Sequence, residues 1–95
     1  VGIVEAIIKL LIKKNQTEYQ ETKVIAEINP VGRDEFNAAG QNGYKAEMML
    51  EVWGSEYNGE TEVEVSGKKY TIYRTYGPKA NEKIELYLTE RVGRK

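Results

Sequence analysis

Residues 45–90 alternate polar and apolar side chains so regularly that few folds remain open to the chain. A period of two is the mark of a strand with one buried face. Ala46, Met48, Leu50 and Val52 fall on one side of the first run, residues 45–57, with Lys45, Glu47 and Glu51 on the other. Asn58-Gly59 follows, a pair that tolerates positive φ and predicts a two-residue hairpin turn. Glu60, Glu62 and Glu64 then alternate with Thr61, Val63 and Val65, and Ser66-Gly67 reads as a second tight turn. Beyond it, Tyr70, Ile72, Arg74 and Tyr76 share a face with Val63 and Val65. A loop over residues 77–81 leads to a last strand, where Ile84, Leu86 and Leu88 alternate with Lys83, Glu85, Tyr87 and Thr89.

Turns and alternation together predict an antiparallel meander with a definite register. Closing Asn58-Gly59 sets Val52 opposite Val65 and Trp53 opposite Glu64. Closing Ser66-Gly67 sets Val63 opposite Tyr70 and Glu64 opposite Lys69. Pairing Tyr76 with Glu82 sets Ile72 opposite Leu86 and Tyr70 opposite Leu88. Each pairing keeps apolar residues on one face, and a slip of one residue would turn them to the other.

The amino-terminal part is less one-sided. As a strand over residues 7–14, it turns Ile8, Leu10 and Ile12 inward and Lys9 and Lys13 outward, and leaves Leu11 exposed. As a helix, it lines Glu5, Lys9 and Lys13 along one stripe. Its β-branched residues favour the strand. Asn15-Gln16-Thr17 is a polar turn, and residues 19–29 form a second strand with Val24, Ala26 and Ile28 inward. Pro30 ends that strand, because proline cannot donate to a ladder. One short helix is predicted near residues 33–40, with Gly32 as N-cap and Asp34 and Glu35 in the first turn, where negative charge suits the helix dipole. Glu35, three residues past Gly32, supplies half of a capping box. Phe36, Ala39 and Gly40 make its apolar stripe, and Gly40 and Gly43 are its stop signals.

A chain of 95 residues makes one domain, here residues 1–95, with one modest core. It holds no histidine and no cysteine, which removes the commonest general base, the thiolate nucleophile and the usual zinc ligands. No enzyme and no cofactor is therefore expected. Fourteen basic and 15 acidic residues give a net charge of −1, without the basic excess that phosphate binding calls for. The apolar run at residues 1–12 is too short to span a bilayer and has neither the basic lead nor the cleavage site of a signal peptide. Synthesis in the cytosol is expected.

Two constellations stand out. Glu60, Glu62 and Glu64, with Glu51 and Glu85 nearby, resemble a carboxylate cluster, but without calcium-loop spacing they read as a solvated strand face that Lys69 partly neutralises. Met49, Trp53, Tyr57, Tyr73 and Tyr87 all fall on the face opposite the core. They form either a partner interface, where aromatics and Met are enriched, or a surface that the first strand or the helix covers.

The run Ala26-Glu27-Ile28-Asn29-Pro30-Val31-Gly32-Arg33-Asp34-Glu35-Phe36 resembles a stretch of the phage head closure proteins of tailed siphophages and their prophages. These are also called head–tail joining or head–tail adaptor proteins. The resemblance continues through Glu56-Tyr57-Asn58-Gly59-Glu60, the stretch from Gly67 to Tyr76, Ile84-Glu85-Leu86 and Arg91-Val92-Gly93, roughly residues 24–93. Pro30 and Asp34 stand where that family often has serine. The motifs are short, so the likeness rests on their order and spacing.

This resemblance implies a small antiparallel β-barrel of about six strands with one short inserted α-helix. It implies a ring at the virion neck, formed by self-association, that closes the DNA exit channel after packaging. The expected partners are the portal and adaptor proteins above and the tail-terminator protein below. DNA would pass without specific binding, and no membrane is involved. The protein would reside in the host cytoplasm during assembly and in the virion neck afterwards. The competing expectation is a small OB-like barrel that binds nucleic acid through tyrosines and lysines.

Overall fold

The computed structural model describes residues 4–15, 17–43 and 45–90; of Val4 the backbone alone is described. The expectations for residues 1–3, Gln16 and Arg91-Val92-Gly93 lie outside these residues. Along the chain run β1 (Val4–Lys13), β2 (Tyr19–Asn29), α1 (Arg33–Gln41), β3 (Ala46–Trp53), a 3₁₀ turn (Gly54–Glu56), β4 (Glu62–Val65), β5 (Lys68–Tyr76) and β6 (Lys83–Glu90). The strands close into an antiparallel barrel in the order β1-β2-β3-β6-β5-β4, as the expected fold class requires. Closure gives each strand two neighbours and leaves no whole edge open.

The amino-terminal segment is a strand. Ten successive pairs join it to β2, from Val4 opposite Ile28 to Lys13 opposite Tyr19, which rules out the helical alternative. Ile8 and Leu10 point into the barrel and are fully buried. Leu11, expected to be exposed, is only 1% exposed. Its cross-strand neighbours are the long side chains of Glu21 and Glu62, and Lys9 leans across to Glu21 at 3.8 Å. Stems of charged residues can cover apolar surface in this way while their heads stay in water. Ile12, expected to face in, is 39% exposed because it lies beyond the Lys9-to-Leu11 stretch that pairs with β4.

The largest departure concerns β3. It lies between β2 and β6 and does not pair with β4, so Val52 faces Ile84 and Trp53 faces Lys83. Asn58-Gly59 is part of a crossing loop rather than a hairpin. The Gly54 N–H donates to the Glu82 carbonyl at 2.9 Å, and the 3₁₀ turn then diverts the chain. Glu60, expected on a solvated face, is 2% exposed and accepts the Asn58 N–H at 2.8 Å. The Tyr57 hydroxyl donates to the Glu60 carbonyl at 2.6 Å. This self-bonded loop carries the chain to β4, which closes the barrel against β1.

Ser66-Gly67 is the hairpin turn expected, with φ of 53° and 82°, and it sets Val63 opposite Tyr70 and Glu64 opposite Lys69. Between β5 and β6 the register differs by two: Ile72 faces Leu88 and Tyr70 faces Glu90. A slip of two keeps every side chain on its face, so alternation is blind to it. A bulge at Tyr73, between Ile72 and Arg74, then shifts the pairing by one more. Arg74 and Tyr76, expected inside, are therefore outside, and Tyr76 is 57% exposed. Such a bulge re-aims the residues that follow it.

Helix α1 starts after Gly32 as expected, without a side-chain cap; its Ala39 is buried, while Phe36 of the expected stripe is half exposed. The core takes alternate residues from every strand: Ile8 and Leu10, Val24 and Ala26, Leu50 and Val52, Val63 and Val65, Tyr70, then Ile84, Leu86 and Leu88.

The loop before β6 makes one position unusually demanding. Gly77 has φ of 128°, and a Cβ there would lie 3.0 Å from the Lys83 carbonyl oxygen and 3.1 Å from Ile84 Cα. Backbone cannot yield as a side-chain tip can. Gly77→Ala should therefore cost about 2–3 kcal/mol in chemical denaturation, and a loss below ~1 kcal/mol would contradict this loop geometry.

Candidate interface on the barrel wall

Cross-strand pairing lays the outer residues of β1, β2, β3 and β6 in rows running around the barrel. The first row is acidic: Glu5 pairs with Glu27, Glu27 with Glu51, and Glu51 with Glu85. Like charges directly opposite repel. Two lysines from the β5–β6 connection and β6 offset them: Lys79 bridges Glu51 and Glu85, and Lys83 reaches Glu27 at 2.9 Å. Lys83 holds the Glu27 carboxyl below the usual range. Burial pushes Glu85 the other way, but its bonds from Lys79 and Tyr87 prevail and lower it. Hydrogen bonds to Glu51 and Glu85 in turn raise Lys79, which is therefore charged at neutral pH.

The row on one side of the acidic one is aromatic. Met49 faces Tyr87, and Tyr87 faces Arg74, whose guanidinium lies 4.1 Å from the Tyr87 ring centre. Tyr73 stands beside them at 6.3 Å between ring centroids. Helix α1 reaches this cluster through Glu35, whose carboxylate accepts the Tyr73 hydroxyl at 2.7 Å and the Arg74 Nη2 at 2.5 Å. The half-box residue thus pins the helix to the barrel instead of capping it. The hydrogen bond from Arg74 holds the Glu35 carboxyl below the usual carboxylate range. Burial and the Glu85 bond push the Tyr87 hydroxyl up to about 12, and burial with the Glu35 bond raises Tyr73 as well. Both remain neutral donors.

The row on the other side of the acidic one is apolar and open. Ile7 and Ile25 face each other and are 68% and 61% exposed. Ile25 and Trp53 line one concavity with Glu5, Glu27 and Lys83. Trp53 is half exposed, with Lys83 Nζ 5.0 Å from its ring centre. Large exposed side chains gathered this way mark interaction surfaces.

Of the five expected interface residues, Met49, Trp53 and Tyr87 do share this wall. Tyr73 joins them at the bulge, partly folded under α1. Tyr57 does not: β3 ends at Trp53, and Tyr57 packs against the core from the crossing loop. The carboxylates separate too, since Glu51 and Glu85 lie on β3 and β6 while Glu62 and Glu64 lie on β4, and among the described residues no three acidic side chains converge as metal ligands would. Ile7 and Ile25 were absent from the expected site, although alternation with Ile8 and Val24 turns both outward. No protein-family model and no curated protein matches the chain.

Proposed function

We propose that the chain is a structural subunit of a tailed-phage neck, which joins as a ring beneath the portal and adaptor, closes the DNA exit channel and offers a docking surface to the tail. The observation that carries this reading is a contact between two stretches of the resemblance. Glu35, from the stretch ending at Phe36, holds Tyr73 and Arg74, from the stretch ending at Tyr76. Residues far apart in a short-motif pattern thus serve one structural purpose, docking the inserted helix on the barrel. The wall carrying Met49, Trp53, Tyr73 and Tyr87 supplies the contacts for assembly. Catalysis has no place in this role, and the protein acts in the host cytoplasm during assembly and in the neck thereafter.

The OB-like reading has less support. A stacking platform needs aromatic faces open beside a basic groove. Here Arg74 covers Tyr87 and is itself paired with Glu35, while the adjacent row is acidic. The test adds the purified chain to DNA-filled, tail-less heads of the phage that encodes it. Electron microscopy should show new ring density below the portal, with DNA retained. Vacant portals, together with submicromolar DNA binding that weakens steeply as salt rises above ~150 mM, would overturn the proposal in favour of the nucleic-acid module.

A further inference from the structure

The β1–β2 face carries its charge in an order that fits one partner above others. Along the strand axis, Glu5 opposite Glu27 comes first, then Ile7 opposite Ile25, then Lys9 opposite Lys23. On β1 and β2 a glutamate pair and a lysine pair therefore flank the exposed apolar row, the acidic row running on to Glu51 and Glu85 while Glu64 of β4 stands opposite Lys9. Turning a second copy by 180° about an axis along the isoleucine row lays isoleucine on isoleucine. The same turn sets Glu5 over the other copy's Lys9 and Glu27 over its Lys23. The remaining in-plane two-fold axis, parallel to the strands, would stack like charges and is disfavoured.

We propose that this face is the self-complementary contact of a two-fold dimer. The surface is isologous, each residue class meeting its complement in the other copy. Charge is partly met within each chain, since Lys83 bridges Glu27 at 2.9 Å and Glu21 approaches Lys9 at 3.8 Å. Glu5 and Lys23 are exposed. The apolar row supplies the attraction and the charged rows fix the orientation. The dimer is consequently weak and sensitive to salt. It needs no phage component, so its test stands apart from that of the neck role.

Sedimentation of the purified chain from about 5 to about 500 µM should show a reversible monomer–dimer equilibrium, weaker at high salt. Ile25→Lys should weaken dimerisation at least ~10-fold, about 1.4 kcal/mol, while circular dichroism and the thermal transition show the fold retained. Glu5→Lys and Lys9→Glu should each weaken it as well. The double variant Glu5→Lys/Lys9→Glu should regain dimerisation, and a mixture of the two single variants should form heterodimers. A chain that stays monomeric throughout would overturn the proposal. So would a dimer indifferent to Ile25→Lys, or a double variant no better than either single one. If the amino- or carboxy-terminal residues outside the described structure cover this face instead, the chain stays monomeric and the proposal fails.

Discussion

Truncating Leu86 to alanine should lower the stability of the chain by about 3–5 kcal/mol, the upper part of the range for a leucine lost from a closed core. Leu86 is fully buried, on the strand that pairs with both β3 and β5. Its neighbours in the core come from several strands, so no single one can move in to fill the gap without breaking a ladder. A domain of this size has roughly 5–15 kcal/mol in all. The thermal midpoint should therefore fall by about 15–25 °C. A loss under ~1 kcal/mol would mean that the barrel interior is not packed as described.

Glu35→Ala should also destabilise the chain, and it should change how stability depends on pH. The variant leaves the Tyr73 hydroxyl and the Arg74 guanidinium without their shared acceptor and frees α1 from β5. Hydrogen bonds to charged groups contribute about 1.5–3 kcal/mol each when buried. Arg74 is 43% exposed on its side chain, so solvent screens part of that; a net loss of about 2 kcal/mol is expected. The sign of the pH effect follows from the lowered carboxyl. An unfolded glutamate titrates near ~4.3, and Arg74 holds the folded one lower. The stabilisation is present above the unfolded value and lost as pH falls through the folded one. Acid titration of stability should be shallower in Glu35→Ala than in the wild type. The acid limb should persist in part, since Glu27 and Glu85 are lowered too. Equal slopes in both proteins would show that Glu35 carries none of the acid dependence.

Face assignments were largely legible in the sequence, whereas strand neighbours were not. Val52, Leu50, Val63, Ile84, Leu86 and Leu88 all lie inside as alternation requires, because parity is a local property. Asn58-Gly59 and Ser66-Gly67 look alike as turn signals, yet only the second closes a hairpin. The difference is set by β1, which β4 must meet to close the barrel; no residue near Asn58 reports that. The two-residue shift between β5 and β6 was hidden for another reason, since even slips preserve faces. The bulge at Tyr73 leaves no local signature, and it alone moves Arg74 and Tyr76 to the outside. Met49, Trp53 and Tyr87 could be placed on one wall from period alone. Tyr57 could not, because its strand ends four residues earlier. The lysines that hold the acidic row, Lys79 and Lys83, become visible only once β6 lies beside β3.

In the proposed role, the barrel wall around Trp53 serves partners rather than the core. Trp53 is half exposed and lies on the face opposite Val52, which is fully inside. Trp53→Ala separates the two roles when stability and assembly are measured on the same protein. Its denaturation midpoint should stay close to that of the wild type. Its occupancy on DNA-filled heads should fall as a loss of about 2 kcal/mol in assembly would dictate, the typical effect of removing an aromatic anchor. Arraying many subunits on one template amplifies such a loss. An unfolded variant would assign Trp53 to the core, and a variant that seats on the heads as well as the wild type would place the interface elsewhere.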